Sequence, residues 1–169
     1  MEILNKQSFL KIAKTLIIVG YSLCLGSIAS FIAMNVIAGD NPTIEFLYWQ
    51  RHFVNPIMNY VTMPSIWLFL FGNIGYFLPL KKGKKRKNIV LLIISLLIVI
   101  NGQFIIIPLA KSVSNSARQQ YQTSQIIPAF AKQKSIEDTC GGLNLLFLIS
   151  YLSIHITTSG NPKDKQIIA

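Results

Sequence analysis

The sequence predicts an all-α integral membrane protein, a four-helix bundle with both termini on the cytoplasmic side (N-in/C-in). Three observations predict it. First, 51% of the 169 residues are hydrophobic and only 13% are charged, where an ordinary soluble domain carries about a quarter charged residues. Second, the apolar residues fall into four runs, at 15–38, 56–80, 88–110 and 139–158. A run of about 20 apolar residues crosses a hydrocarbon core. Third, the cations gather in the segments that lie on one side of those runs. The length allows one domain, so residues 1–169 form a single membrane domain.

Helix is the expected state of every run, because lipid offers the backbone no partners and barrel-type alternation is missing. In the first run Ser22, Gly26 and Ser30 recur every four residues and predict a packing stripe of small residues, widened by Cys24, Ala29 and Ala33. Lys6, Lys11 and Lys14 precede it, and Ser27-Ile28-Ala29 resembles a cleavage site. The apolar stretch continues to Ala38, beyond the 7–15 residues of a signal-peptide core, so it reads as a retained helix. The second run holds Tyr60, Trp67 and Tyr76, with Gly72 and Gly75 as further small packing residues. Pro56 near its start is harmless, whereas Pro64 lies deeper and predicts a kink.

The third run contains the unbroken segment Ile89–Ile100 apart from Ser95, and Pro108, like Pro79 before it, is expected to help stop its helix. Lys111–Thr139 then forms the one sizeable external segment. Its part up to Tyr121 continues the third helix, and Ile126–Phe130 makes an apolar patch. The segment reads equally as a lid or docking element and as a solvated connector. Ser135-Ile-Glu-Asp138 resembles a capping box, which puts Glu137 and Asp138 in the first turn of the fourth helix. Gly141 and Gly142 follow and predict a close backbone approach.

The net charge of +10 comes from 16 Lys and Arg against six Asp and Glu. Its distribution argues against nucleic acid. Lys6, Lys11 and Lys14, the crowded loop Lys81, Lys82, Lys84, Lys85, Arg86 and Lys87, and the terminal Lys163 and Lys165 share one side of the membrane. Only Glu2 and Asp164 oppose them there. The other side balances Arg51, Lys111, Arg118, Lys132 and Lys134 against Asp40, Glu45, Glu137 and Asp138. The positive-inside rule makes the first side cytoplasmic. The Lys-rich loop serves as a topology signal, or it also attracts anionic headgroups.

Several chemistries are excluded by what is missing. Cys24 falls near the bilayer middle and Cys140 near the outer surface, too far apart to bridge, and no C-x-x-C occurs. His52 and His155 lie at opposite depths and cannot clamp one haem. No protease, hydrolase, nucleotide-binding or zinc motif is present, and no span has a central charge to couple protons. No metal, cofactor or catalytic residue is therefore expected.

The polar residues that remain cluster toward the outer leaflet. Asn59, Asn101, Gln103 and Asn144 are the candidate lining of an outer pocket, and Asn55 shares a helix face with Asn59 at a spacing of four. The outer loops add Glu45, His52, Glu137 and Asp138, together with the interface anchors Tyr48 and Trp49. The competing reading of the amides is hydrogen-bonded glue between helices.

Thr62-Met-Pro64 opening the second helix, Gly72, Ile107-Pro-Leu109 and the later Arg118 together resemble a group of uncharacterised bacterial four-helix integral membrane proteins. These are distantly similar to copper-resistance-D-type membrane proteins. The resemblance covers Arg51 to Tyr121 and implies no catalytic residues. This chain departs from the pattern in having few histidines and no Met-rich stretch. Abundant Lys, Ile and Asn point to a bacterium with an AT-rich genome, hence to a bacterial inner (plasma) membrane. The expected function is that of an accessory or assembly subunit or a binder of a lipid-like ligand. The expected partners are membrane lipid, a protein partner or a second copy, and no nucleic acid. The alternatives are a small oligomeric transporter and, third, an enzyme acting on a lipid or quinone.

Overall fold

A computed structural model describes residues 6–39, 41–79 and 85–159. Four long helices run antiparallel in sequence order, and no strand occurs among the described residues. Helix α1 is Lys6–Ala38 and α2 is Ile44–Phe77. Helix α3 joins Lys85–Ile100, a π segment Asn101–Ile106 and Ile107–Thr123. Helix α4 is Pro128–Ser159. All four are long and apolar enough to cross a membrane. Glu2, Asp40, Lys81, Lys82, Lys84, Lys163, Asp164 and Lys165 lie outside the described residues.

Each helix outruns the apolar run that predicts it. The Thr43 hydroxyl accepts from the Phe46 amide at 3.1 Å, so α2 starts at Ile44, well ahead of Pro56. Helix α4 starts at Pro128, which leaves Ser135 inside the helix. There its carbonyl accepts from the Thr139 hydroxyl, so the capping-box reading is corrected. Gly39 ends α1 at φ +66°, a backbone that suits glycine, and Ser124 ends α3 at φ 54°. The extensions of α2, α3 and α4 build a small second core from Leu47, Val113, Ala117 and Phe130. The buried Phe130 thus belongs to this core, while Ile126 stays exposed. The main core is formed by Cys24, Ile28, Met58, Ile66, Phe69, Ile98, Leu148 and Tyr151 among others.

The prolines act differently from expectation. Pro56 sits inside a helix, and α3 continues through Pro108 instead of stopping there. A proline lacks the amide that would reach back one turn, and its ring presses on the carbonyl four residues earlier. A π segment, Met58–Thr62, precedes Pro64, and another, Asn101–Ile106, precedes Pro108. The Met63 amide donates to the Met58 carbonyl and the Ile107 amide to the Gly102 carbonyl, both five residues back. The wider turn gives the ring room, so the helix continues past each proline.

The closest packing joins α1 to α2. A Cβ on Gly20 would lie 2.5 Å from the Phe69 nitrogen and 2.7 Å from the Ser65 oxygen. One on Gly72 would lie 2.7 Å from the Ile17 nitrogen. The buried face of α1 is Ala13, Gly20, Cys24 and Ser27. The Ser22–Gly26–Ser30 stripe instead faces outward with Ala29 and Ala33, and Gly26 has nothing within 4 Å of a would-be Cβ. Two faces of α1 carry small residues, and the glycine supplied by α2 decides which one packs. Gly75 is looser, at 3.4 Å from Ala13.

Candidate functional site

The end of the bundle away from the Lys-rich loop holds a cavity of about 430 Å³ between α1, α2 and α4. That lies within the range of about 300–1,000 Å³ usual for ligand sites. Its deep walls are apolar, formed by Cys24, Ile28, Met58, Met63 and Ile66, with Leu145 and Ile106 beside them. Its upper rim is polar, formed by Asn35, Gln50, Arg51, Glu137 and Asp138. The rim exists because α2 begins early: Leu47, Gln50, Arg51 and Val54 recur at helical spacing and turn inward together.

Arg51 is 5% exposed and Glu137 8%. The Arg51 Nη1 donates to Glu137 Oε1 at 2.8 Å and stands 2.7 Å from Oε2, binding α2 to α4. Lys134 donates to Asp138 Oδ2 at 2.8 Å and to Asn35 Oδ1 at 3.1 Å. Asn35 also accepts from Gln50 Nε2 at 2.9 Å and donates to Asp138 Oδ1 at 3.3 Å. Asn35 therefore ties α1 to both neighbours. Three buried atoms of the rim have no hydrogen-bond partner, the Arg51 Nε donor and the Gln50 Oε1 and Glu137 Oε2 acceptors, the last of them engaged only through its ion pair with Arg51.

The cavity opens between α1 and α4, the neighbours that touch least. Exposed Ile32 and Val36 flank the opening on α1, and Gly141 and Gly142 flank it on α4. A Cβ on either glycine would meet nothing within 4 Å, so the expected close approach is corrected to an open wall. Below the cavity, Tyr21, Phe69 and Tyr151 fill the bundle, with Tyr151 donating to Asn73 Oδ1 at 2.8 Å.

The sequence-derived candidates separate into groups. Asn144, Glu137 and Asp138 line the cavity. Asn101 stands behind it, donating to Asn144 Oδ1 and to the Cys140 carbonyl, both at 2.8 Å, so it joins α3 to α4 as glue. Asn144→Leu, which ends the amide pair and leaves Asn101 with the Cys140 carbonyl, is expected to lower stability by about 1 kcal/mol. Denaturant titration in mixed micelles checks this, and an unchanged midpoint would sink it. Asn59 is exposed within the π segment, whereas Asn55 is half-buried and donates to Ser114 at 2.7 Å. Gln103 is half-buried outside the lining, and Glu45 is exposed in the first turn of α2. His52 is exposed within a ring cluster with Tyr48, Trp49 and Phe53. Among the described residues no group of three His, Cys, Asp or Glu side chains is placed to hold a metal.

Gln50, Arg51 and Asn35 are the rim residues absent from the candidate lining, although Asn35 is itself one of the outer-leaflet amides and Arg51 one of the outer charges. The signal was present: Thr43 as a cap, then Leu47, Gln50, Arg51 and Val54 at spacings of three and four. No family model, no curated protein and no solved structure matches the chain.

Proposed function

We propose that the chain is a multi-pass protein of a bacterial inner membrane, with cytoplasmic termini, that holds a lipid-like amphiphile in its outer leaflet. The observation that carries this reading is the cavity: an apolar slot capped by a buried polar rim with an unpartnered donor and acceptor. A hydrocarbon chain suits the slot by burial of apolar surface. A polar head suits the rim, where unpaired buried groups are costly. The opening between α1 and α4 lies beside the exposed apolar side chains Ile32 and Val36 in the last turns of α1, within the outer part of the apolar span, so a lipid reaches it sideways from the bilayer. The cation distribution supports the orientation.

A holding role is favoured over transport by the interior below the slot. Asn73 donates to the Phe69 carbonyl and accepts from Tyr151, so its amide is engaged between helices and not presented to a water path. The enzyme reading has less to draw on, since Glu137 is paired and His52 and Glu45 point outward.

Native mass spectrometry of the protein in mild detergent tests the proposal. The wild type is expected to appear above the 19.0 kDa chain mass by one lipid-like molecule. Gly142→Phe, which places a ring where the wall is open, is expected to remove that mass without lowering the melting temperature. A bare wild-type chain, or an adduct that Gly142→Phe leaves unchanged, would sink the reading. A heteromeric mass would instead favour the accessory-subunit role.

A further inference from the structure

We infer that the ligand of this cavity is an uncharged amphiphile whose head carries a hydroxyl, such as a monoacylglycerol or a long-chain alcohol. The inference rests on the amphiphile reading above and names its chemistry. The rim holds one cation, Arg51, and two carboxylates, and Lys134 just outside the lining supplies the second cation, so the charges neutralise one another: Arg51 faces Glu137 and Lys134 faces Asp138. A phosphate entering there meets no spare cation and two nearby carboxylates. An ammonium meets no spare carboxylate and two nearby cations. Either charge would have to break a pair whose members are held by α2 and α4 or by α4 alone.

Glu137 Oε2 accepts no hydrogen bond but lies 2.7 Å from the Arg51 guanidinium that neutralises it, so what the rim still offers is one N–H donor and one carbonyl acceptor. Arg51 Nε and Gln50 Oε1 are both buried and unpartnered, on adjacent residues of α2, and both side chains line the cavity. The other two buried amide oxygens without partners, Asn55 Oδ1 and Asn101 Oδ1, belong to residues outside the lining. A hydroxyl is the small neutral group that both accepts from an N–H and donates to a carbonyl. A ketone or ether satisfies Arg51 and leaves Gln50 unpaired. A site built to bond a hydroxyl rejects the analogue lacking it, because its own buried groups are then stranded.

The test titrates the full-length protein in mild detergent with three probes, read by native mass spectrometry. They are monoolein, its di-O-methyl ether and dioleoylphosphatidylglycerol, each repeated on Gly142→Phe to separate cavity binding from binding to the outer surface. Monoolein is expected to bind the wild type at least about tenfold more tightly than either other probe. In Gln50→Leu the preference over the ether is expected to shrink severalfold. Equal binding of monoolein and its ether to the wild type, or tighter cavity binding of phosphatidylglycerol, overturns the hydroxyl assignment alone. Binding of all three that is indifferent to Gly142→Phe overturns the cavity reading, and this inference with it. The wild-type comparison needs no variant to fold.

Discussion

Gly20→Val is expected to leave α1 unable to seat on α2, with a loss of stability at or above the upper end of the usual overpacking cost of about 1–3 kcal/mol. The new Cβ alone would stand 2.5–2.9 Å from three backbone atoms of Ser65 and Phe69. Backbone of a helix cannot swing aside as a side-chain tip does, so whole helices must separate. Separation opens the core around Cys24 and Phe69, which are 1% and 0% exposed. Gly26→Val on the same helix is the control, since its Cβ meets nothing within 4 Å. Thermal unfolding followed by tryptophan fluorescence measures both. Equal melting temperatures for the two variants would show that the close crossing of α1 and α2 is absent.

Arg51→Leu is expected to cost about 3–5 kcal/mol, because it strands the buried Glu137 carboxylate without its partner. Glu137→Leu strands the guanidinium and should cost a similar amount. The double variant should regain most of the loss, since two well-packed apolar side chains often match or exceed a buried ion pair in stability. A double-mutant cycle of melting measurements is the check, and purely additive losses would sink it. The recovered double variant should still fail to retain the amphiphile. That outcome distinguishes the rim's part in binding from its part in holding α2 to α4.

Helix number and order were legible because charge-free runs of this length have few other uses. The ends of the helices were not, because the extensions beyond the apolar runs carry Arg51, Lys134 and Glu137, which resemble loop residues until their partners are known. Glu137 and Asp138 are candidates in the sequence as acids of the outer loop, next to a supposed cap at Ser135. They belong to the site for another reason, since both face the cavity from mid-helix. The packing stripe of α1 was visible in principle as Ala13, Gly20, Cys24 and Ser27, at the three-to-four spacing of a helix seam. The more regular Ser22–Gly26–Ser30 pattern masked it, and spacing within one helix carries no record of where the partner's glycine sits. Asn59 shows the limit of spacing within one helix, which does not say where the neighbouring helix lies: Asn55 meets Ser114 of α3, whereas Asn59 is exposed.

The π turn in α2 has a consequence for angle as well as for helix continuity. One residue of an α-helix subtends about 100°, so an inserted residue rotates everything on one side of it against everything on the other. The half of α2 beyond Thr62 is clocked to α1 by Ser65, Phe69 and Gly72, and the half before Met58 is clocked to α4 by Arg51. A uniform helix would have a single phase and could satisfy only one of these neighbours. Met58, Thr62 and Met63, the residues of the joint, themselves line the cavity. The cavity wall is thus the coupling between two differently indexed lengths of one shaft, and its shape follows from their offset.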